Sequence, residues 1–284
     1  MDRMVDRYGL WATFPYLDNV TICSHDQQDH DANLVKFLHT ATLLNLTYNK
    51  EKCVFSTNRL AILGYVVHDR ALGHDPDRMR PLMELPLPHC PKDLKRCLGF
   101  FSYYAQWVPN YADKAHPLIQ STVFPLRAEA HQAFNRIKAD NAKAVMHVVD
   151  ETLPFQVESD ASDVALTATL NQAGRPVAFF SRTLHASEIR HSSVEKEAQA
   201  IVEAVRYWRH YLASRRFTLL TDQRSVTFMF NNTQRGKIKN DKILRWMIEL
   251  STYNYEILNR PGELNEPLMP YPKVHVPAHR GTDS

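Results

Sequence analysis

Between Leu153 and Leu258 the hydropathy period changes in a fixed order, and that order restricts the fold more than any other feature of the chain. Leu153–Ser159, Ala165–Leu170 and Arg175–Phe180 are short strand candidates, the third preceded by the turn residues Gln172-Ala173-Gly174. A long helix is predicted over about Ser193–Ala213. A strand at Phe217–Thr221, a short helix near Ser225–Phe230, a helix at Asp241–Thr252 and a last strand at Tyr253–Leu258 follow. The order β-β-β-α-β-α-α-β predicts a mixed α/β domain of about 110 residues.

The 284-residue chain leaves room for further units before it. Residues 1–72 hold β-like runs at Thr13–Ile22, Lys52–Ser56 and Leu60–Val67 around one helical stretch, Asp31–Leu46, with Leu34, Phe37, Leu38, Ala41 and Leu44 at helical spacing. Residues 73–150 read as helical. Prolines at 76, 81, 86, 88, 91, 109, 117 and 125 keep each helix short. The last, His131–Val148, carries Phe134, Ile137, Ala144, Val145 and Val148 on one side. After Arg260, prolines at 261, 267, 270, 272 and 277 exclude a regular helix, so residues 268–284 read as an irregular tail.

With 44% hydrophobic and 23% charged residues the balance is that of a soluble globular chain. No apolar run reaches the roughly 18 residues of a membrane span. The N-terminal Met1–Arg7 is charged and lacks the apolar core of a secretory signal. Cys23, Cys53, Cys90 and Cys97 form no C-x-x-C pair and read as reduced thiols of an intracellular protein, in cytoplasm or nucleus. The net charge of +3 says little, but its distribution says more. Ten Lys/Arg stand between Arg206 and Arg245 against two acids, Asp222 and Asp241. Such an excess suits a polyanion, or else a solvated basic face.

Asp160 and Asp222 each end a predicted strand, where open α/β sheets bind ligands. A third acid comes from the long helix, where Glu195 and Glu197 compete. On a wheel centred on Ile201, with Val194, Val205, Trp208 and Leu212 nearby, Glu197 lies about 40° off, at the border of the apolar stripe. Glu195 lies about 120° away, toward solvent. A carboxylate turned to a core is costly unless something pairs with it. Asp160, Glu197 and Asp222 together could hold hard divalent ions through oxygen. Two such ions about 4 Å apart suit in-line hydrolysis of a phosphodiester. The bland alternative is a pair of turn-capping aspartates and a stray helix acid.

The same stretches resemble a known family. Phe155–Ser162, Phe179–Leu184, Glu195–Val202, Phe217–Asp222, Tyr253–Ile257 and Arg260–Asn265 resemble, in order, the ribonuclease H domain of gypsy-type LTR retrotransposon Pol polyproteins. In that family the second Glu of the helix is a metal ligand, here Glu197. Tyr16-Leu17-Asp18-Asn19 resembles the reverse-transcriptase Tyr-x-Asp-Asp box, and Ile62–Val67 resembles the primer-grip hairpin. Leu98–Tyr104, Val108–Tyr111 and His116–Ile119 resemble the thumb. The resemblance runs over about residues 4–267. It implies a multidomain α/β chain: a partial palm over 1–72, a helical thumb over 73–150 and a ribonuclease H-like mixed sheet with helices over 151–267. It also implies Mg²⁺ or Mn²⁺ as cofactor in a two-metal site and an RNA–DNA hybrid or other nucleic acid as partner. Lys237, Lys239, Lys242 and Arg245 would touch its phosphates.

Four departures bear on activity. The chain begins just before the box, so a partner chain or self-association would have to supply the rest of the palm and the fingers. Asn19 replaces the box's second Asp, leaving Asp18 as its one carboxylate, and polymerase activity is not expected from this chain alone. Met269 stands where the family carries a fourth carboxylate, with Glu263 or Glu266 as substitutes. Ala165 and Thr167 replace strand glycines; Thr167 either crowds a tight sheet or serves as the good strand residue that threonine is. His25, Asp29 and His30 read as a polar loop. His185 and His191 read as surface residues, with a proton-shuttle role as the alternative, and Tyr103, Tyr104, Trp107 and Tyr111 as packing between short helices. Two rival functions stay open on these residues: a catalytically silent nucleic-acid-binding module, and a decayed retroelement reading frame.

Overall fold

The structure, a computed structural model, describes residues 2–231 and 240–260. The chain divides into two compact units, residues 1–60 and the residues from Ala61 onward. The first contains helix α1 (Asp2–Tyr8), a hairpin of β1 (Thr13–Tyr16) and β2 (Asn19–Ile22), and helix α2 (Gln27–Leu43). The box residues Tyr16 and Asn19 face each other across the hairpin, with Leu17 and Asp18 forming its loop. α2 starts earlier than the hydrophobic spacing suggested, because Asp26 caps it by accepting the Asp29 backbone N–H at 2.8 Å. Asp29 and His30 therefore lie on a helix, not in a loop. Lys52–Ser56 is no strand: Lys50–Lys52 forms a short 3-10 turn capped by Asn49.

The boundary falls inside strand β3 (Arg59–Ile62). In the second unit, β4 (Tyr65–His68), β5 (Ala71–His74) and β6 (Val145–His147) pair antiparallel in that order. Between β5 and β6 come helices α3 (Pro76–Met83), α4 (Pro91–Tyr103), α5 (Tyr111–Ile119) and α6 (Ala128–Lys143). Pro76 and Pro91 open their helices, where the missing N–H costs nothing. Pro81 and Pro117 sit inside α3 and α5, and each helix stops soon after. The helix predicted to reach Val148 ends at Lys143. Ala144 turns extended (φ −66°, ψ 121°), and Val145–His147 pairs with β5 instead. Leu82, Phe101, Leu118, Phe134 and Ile137 are buried together between these helices.

The mixed sheet has the order β11-β10-β7-β8-β9. Its strands are β7 (Phe155–Ala161), β8 (Ala165–Gln172), β9 (Arg175–Thr183), β10 (Phe217–Thr221) and β11 (Tyr255–Asn259). β7, β8 and β9 form an antiparallel meander, while β10 runs parallel to both β7 and β11. The β8–β9 turn holds Ala173 and Gly174 at positive φ, as a two-residue hairpin requires. Helix α7 (Ser193–Tyr207) crosses the sheet and buries Ile201 and Val205, with the cap residue Trp208 and Leu212 beyond it, against Val157, Leu166, Leu170 and Leu219. The single long helix predicted here breaks at Trp208, and a one-turn helix α8 (Arg209–Leu212) follows. Helices α9 (Arg224–Phe230) and α10 (Asp241–Leu250) complete this core. On the meander side Trp107, Ala144 and Met146 bury Phe179 of β9, which fastens the helical segment to that edge. Among the described residues no helix is long and apolar enough to cross a membrane.

Candidate carboxylate site

Two parallel neighbouring strands deliver two aspartates to one end of the sheet. β7 and β10 run in register from Phe155↔Phe217 to Glu158↔Leu220. Asp160 lies two residues past the last pair on β7, and Asp222 two residues past it on the other chain segment. Both are open to solvent at the strand ends, the place where α/β sheets bind ligands. Asn259 holds the second strand end, donating its side-chain N–H to the backbone carbonyls of Thr221 (3.2 Å) and Asp222 (2.8 Å).

α7 brings the third acid. A capping box fixes its first turn: Ser192 Oγ accepts the Glu195 backbone N–H at 3.3 Å, and Glu195 Oε2 accepts the Ser192 N–H at 3.1 Å. With the start fixed, the 100° step turns Glu197 to the sheet, where it is 6% exposed. Its Oε1 accepts the Ala161 backbone N–H at 3.0 Å, one residue beyond Asp160. Its Oε2 is buried without a hydrogen-bond partner among the described residues. Burial first, then the negative charges of Asp160 and Asp222, push the Glu197 carboxyl up to about 8. The Asp160 carboxyl is raised as well, first by partial loss of hydration and then by the charges of Asp222 and Asp113. Among the described residues no three His, Cys, Asp or Glu side chains form a ready-made metal cage. Even so, the orphaned oxygen of Glu197, beside two further carboxylates, is what a hard cation would satisfy.

Other candidate residues fall elsewhere. Glu195, read from the wheel as facing solvent, is half-buried. Besides the capping box it binds Lys242 Nζ at 3.2 Å and Asn240 Nδ2 at 3.1 Å; the Ser192 backbone N–H first, and these contacts with it, hold its carboxyl at about 2. Lys242 also meets His191 Nε2 at 2.9 Å and lies over the Trp246 ring. It is therefore engaged inside the domain, and His191 with it. Arg245 is exposed on α10. Lys237, Lys239, Met269, Glu263 and Glu266 lie outside the described residues. Thr167 does not crowd the sheet: it is buried opposite Asp160 and donates its hydroxyl to the Asp160 carbonyl at 3.3 Å. Trp107 and Tyr111 are buried and Tyr104 packs edge-on against His74, whereas Tyr103 is exposed. Sequence reasoning missed Asp113. An acid in the first turn of α5 looks like an ordinary helix-end charge, and nothing in the sequence says that α5 packs on β8 and β9.

Comparison with known proteins agrees with this architecture. Residues 150–253 match the family described as the RNase H-like domain found in reverse transcriptase. The chain is 31% identical over 257 residues to the retrovirus-related Pol polyprotein from transposon 297 of Drosophila melanogaster, covering 88% of this chain and 24% of that one. It is 32% identical over 273 residues to the corresponding polyprotein from transposon opus, covering 89% and 27%. Residues 150–253 thus resemble a reverse-transcriptase RNase H-like domain, and the relatives that match across most of this chain are retrotransposon Pol polyproteins. The chain spans about a quarter of the length of these relatives. The Tf2-7 polyprotein of Schizosaccharomyces pombe matches at 28% identity over 262 residues. A foamy viral protease-reverse transcriptase in complex with double-stranded DNA shares the fold, with a TM-score of 0.74 at 16% identity over 91% of this chain and 48% of that one. The foamy viral enzyme in complex with an RNA/DNA hybrid does so at 0.70 and 16% identity, over 90% and 36%. Within this chain, the carboxylate end of the β7–β10 pair is the candidate functional site.

Proposed function

We propose that this chain is a gypsy-type reverse transcriptase/ribonuclease H fragment that hydrolyses the RNA strand of an RNA–DNA hybrid with Mg²⁺ or Mn²⁺. The observation that carries the reading is the buried, unpartnered Oε2 of Glu197 beside Asp160 and Asp222. In this reading residues 1–72 are a partial palm, 73–150 the thumb, 151–267 the nuclease domain and 268–284 a tail. Asp160, Glu197 and Asp222 would hold the divalent ions. When bound, those ions supply the positive charge that in-line displacement at phosphorus needs. The residues do the rest. Asp160 and Asp222 present open carboxylates at the sheet end and Ala161 orients Glu197; to serve as a ligand Glu197 would have to be deprotonated. Arg245 and the basic segment with Lys237 and Lys239 would contact phosphates.

The test is hybrid cleavage by the purified chain in Mg²⁺ and in Mn²⁺, beside an Asp160→Asn control. Cleavage that disappears in the control supports the reading, and no cleavage in either metal overturns it. A second reading, a silent nucleic-acid-binding module, is favoured by Met269 at the fourth-carboxylate position and by the lack of a ready-made cage among the described residues. It predicts salt-dependent hybrid binding without cleavage.

A further inference from the structure

The first turn of α5 reaches the mouth of the carboxylate site. Asp113 Oδ1 accepts the Ser162 hydroxyl at 2.6 Å. The alternative acceptor, the Ala165 carbonyl, lies at 3.4 Å, so the single hydroxyl proton belongs to the aspartate. The Ser162 oxygen in turn accepts the backbone N–H groups of Ala165 at 2.9 Å and Val164 at 3.2 Å. One residue earlier on the helix, the Ala112 backbone N–H donates to Ser181 Oγ of β9 at 2.8 Å. Thus α5, which belongs to the helical segment and not to the sheet, clasps β9 and closes the turn that follows Asp160.

Lys114, the nearest cation in sequence, is committed to Asp140 at 2.7 Å and leaves Asp113 to the turn. The Ala161 N–H that orients Glu197 lies between Asp160 and Ser162 in the same stretch, so one backbone segment sets two of the three site carboxylates. We infer that Asp113, acting through Ser162, is a positioning residue that holds Asp160 and the Ala161 N–H where a divalent cation can be gripped. The inference rests on the nuclease reading above. It makes the helical segment a part of the nuclease site and not merely its neighbour.

The experiment measures Mn²⁺ affinity of the full chain by calorimetry, in the absence of nucleic acid, with cleavage as a parallel readout. Asp113→Ala and Ser162→Ala should each weaken Mn²⁺ binding by about tenfold, the range seen when a residue supporting a metal ligand is lost. The double variant should be no weaker than Ser162→Ala alone, because the hydrogen bond to Asp113 is already gone once Ser162 is lost. Asp113→Asn keeps an acceptor oxygen and should stay within about twofold of the parent. A thermal melt on each variant separates a lost grip from a lost fold. Parent-like Mn²⁺ affinity in folded Asp113→Ala, or an Asp113→Asn variant as weak as the alanine, overturns the inference while the nuclease reading stands. Parent-like affinity in Asp160→Asn overturns the nuclease reading itself, and the inference with it.

Discussion

Glu197 and Ala161 are joined by a 3.0 Å hydrogen bond from the backbone N–H to Oε1, and the other Glu197 oxygen has no partner among the described residues. A carboxyl group so placed is satisfied on one side only. Two neighbouring acids disfavour its charge.

Glu197→Gln should abolish cleavage and raise stability at once. The folded carboxyl titrates near 8, above its ordinary 4.5, so its ionised form is penalised once pH exceeds 4.5 and the penalty grows up to about pH 8. At pH 7 without metal the relief is about 3 kcal/mol. Thermal melts at pH 5 and pH 8 check this: the stabilisation should be small at the lower pH and large at the higher. An unchanged or lowered melting temperature at pH 8 would contradict it.

Cation binding should be coupled to proton release. Because Glu197 must lose its proton to act as a ligand, Mn²⁺ affinity should rise as pH goes from 6 to 8 and level off above. Titration in buffers of differing ionisation enthalpy counts the protons released. A pH-independent affinity would show that Glu197 is not a ligand.

The Arg182–Glu188 pair should govern acid stability. Arg182 donates to Glu188 at 2.7 and 2.9 Å and the His185 N–H adds a third bond at 2.7 Å. Arg182 first, and the other donors with it, hold the Glu188 carboxyl at about 2. This contribution is present above the ordinary 4.5 and is lost as pH falls from there toward 2. With both side chains largely shielded, about 2–3 kcal/mol is at stake. Urea unfolding at pH 3 and pH 6 should show a smaller difference in Glu188→Gln than in the parent protein.

The hairpin that carries Tyr16, Asp18 and Asn19 offers one carboxylate where the resembling box has two. Primer extension by this chain should give no templated product. Templated synthesis would refute the reading of Asn19 as a lost ligand.

Much of this was legible in the sequence because local and tertiary preferences agree. Phe217–Thr221 is a strand by composition and by its two parallel neighbours. The α7 stripe assigned Glu197 to the sheet face because the capping box and the apolar period select the same helix phase. The reading failed where partners distant in sequence decide. Val145 and Met146 continue a helical stripe, yet pair with Gly73 and Leu72 across the sheet. Lys242 looked free for phosphate because Glu195 and His191 are about fifty positions away. Asp113 was unreadable for the same reason.

β10 sits between β7 and β11, and β11 starts at Tyr255, past the end of the family match at residue 253. A polypeptide ended at that boundary would present β10 as a bare rim, its amides and carbonyls open to whichever extended segment arrived first. Asp222 would lose the Asn259 amide that steadies its main chain. During synthesis, then, the second aspartate is secured only by the last described strand to leave the ribosome. Until then the partly made protein carries an open sheet edge.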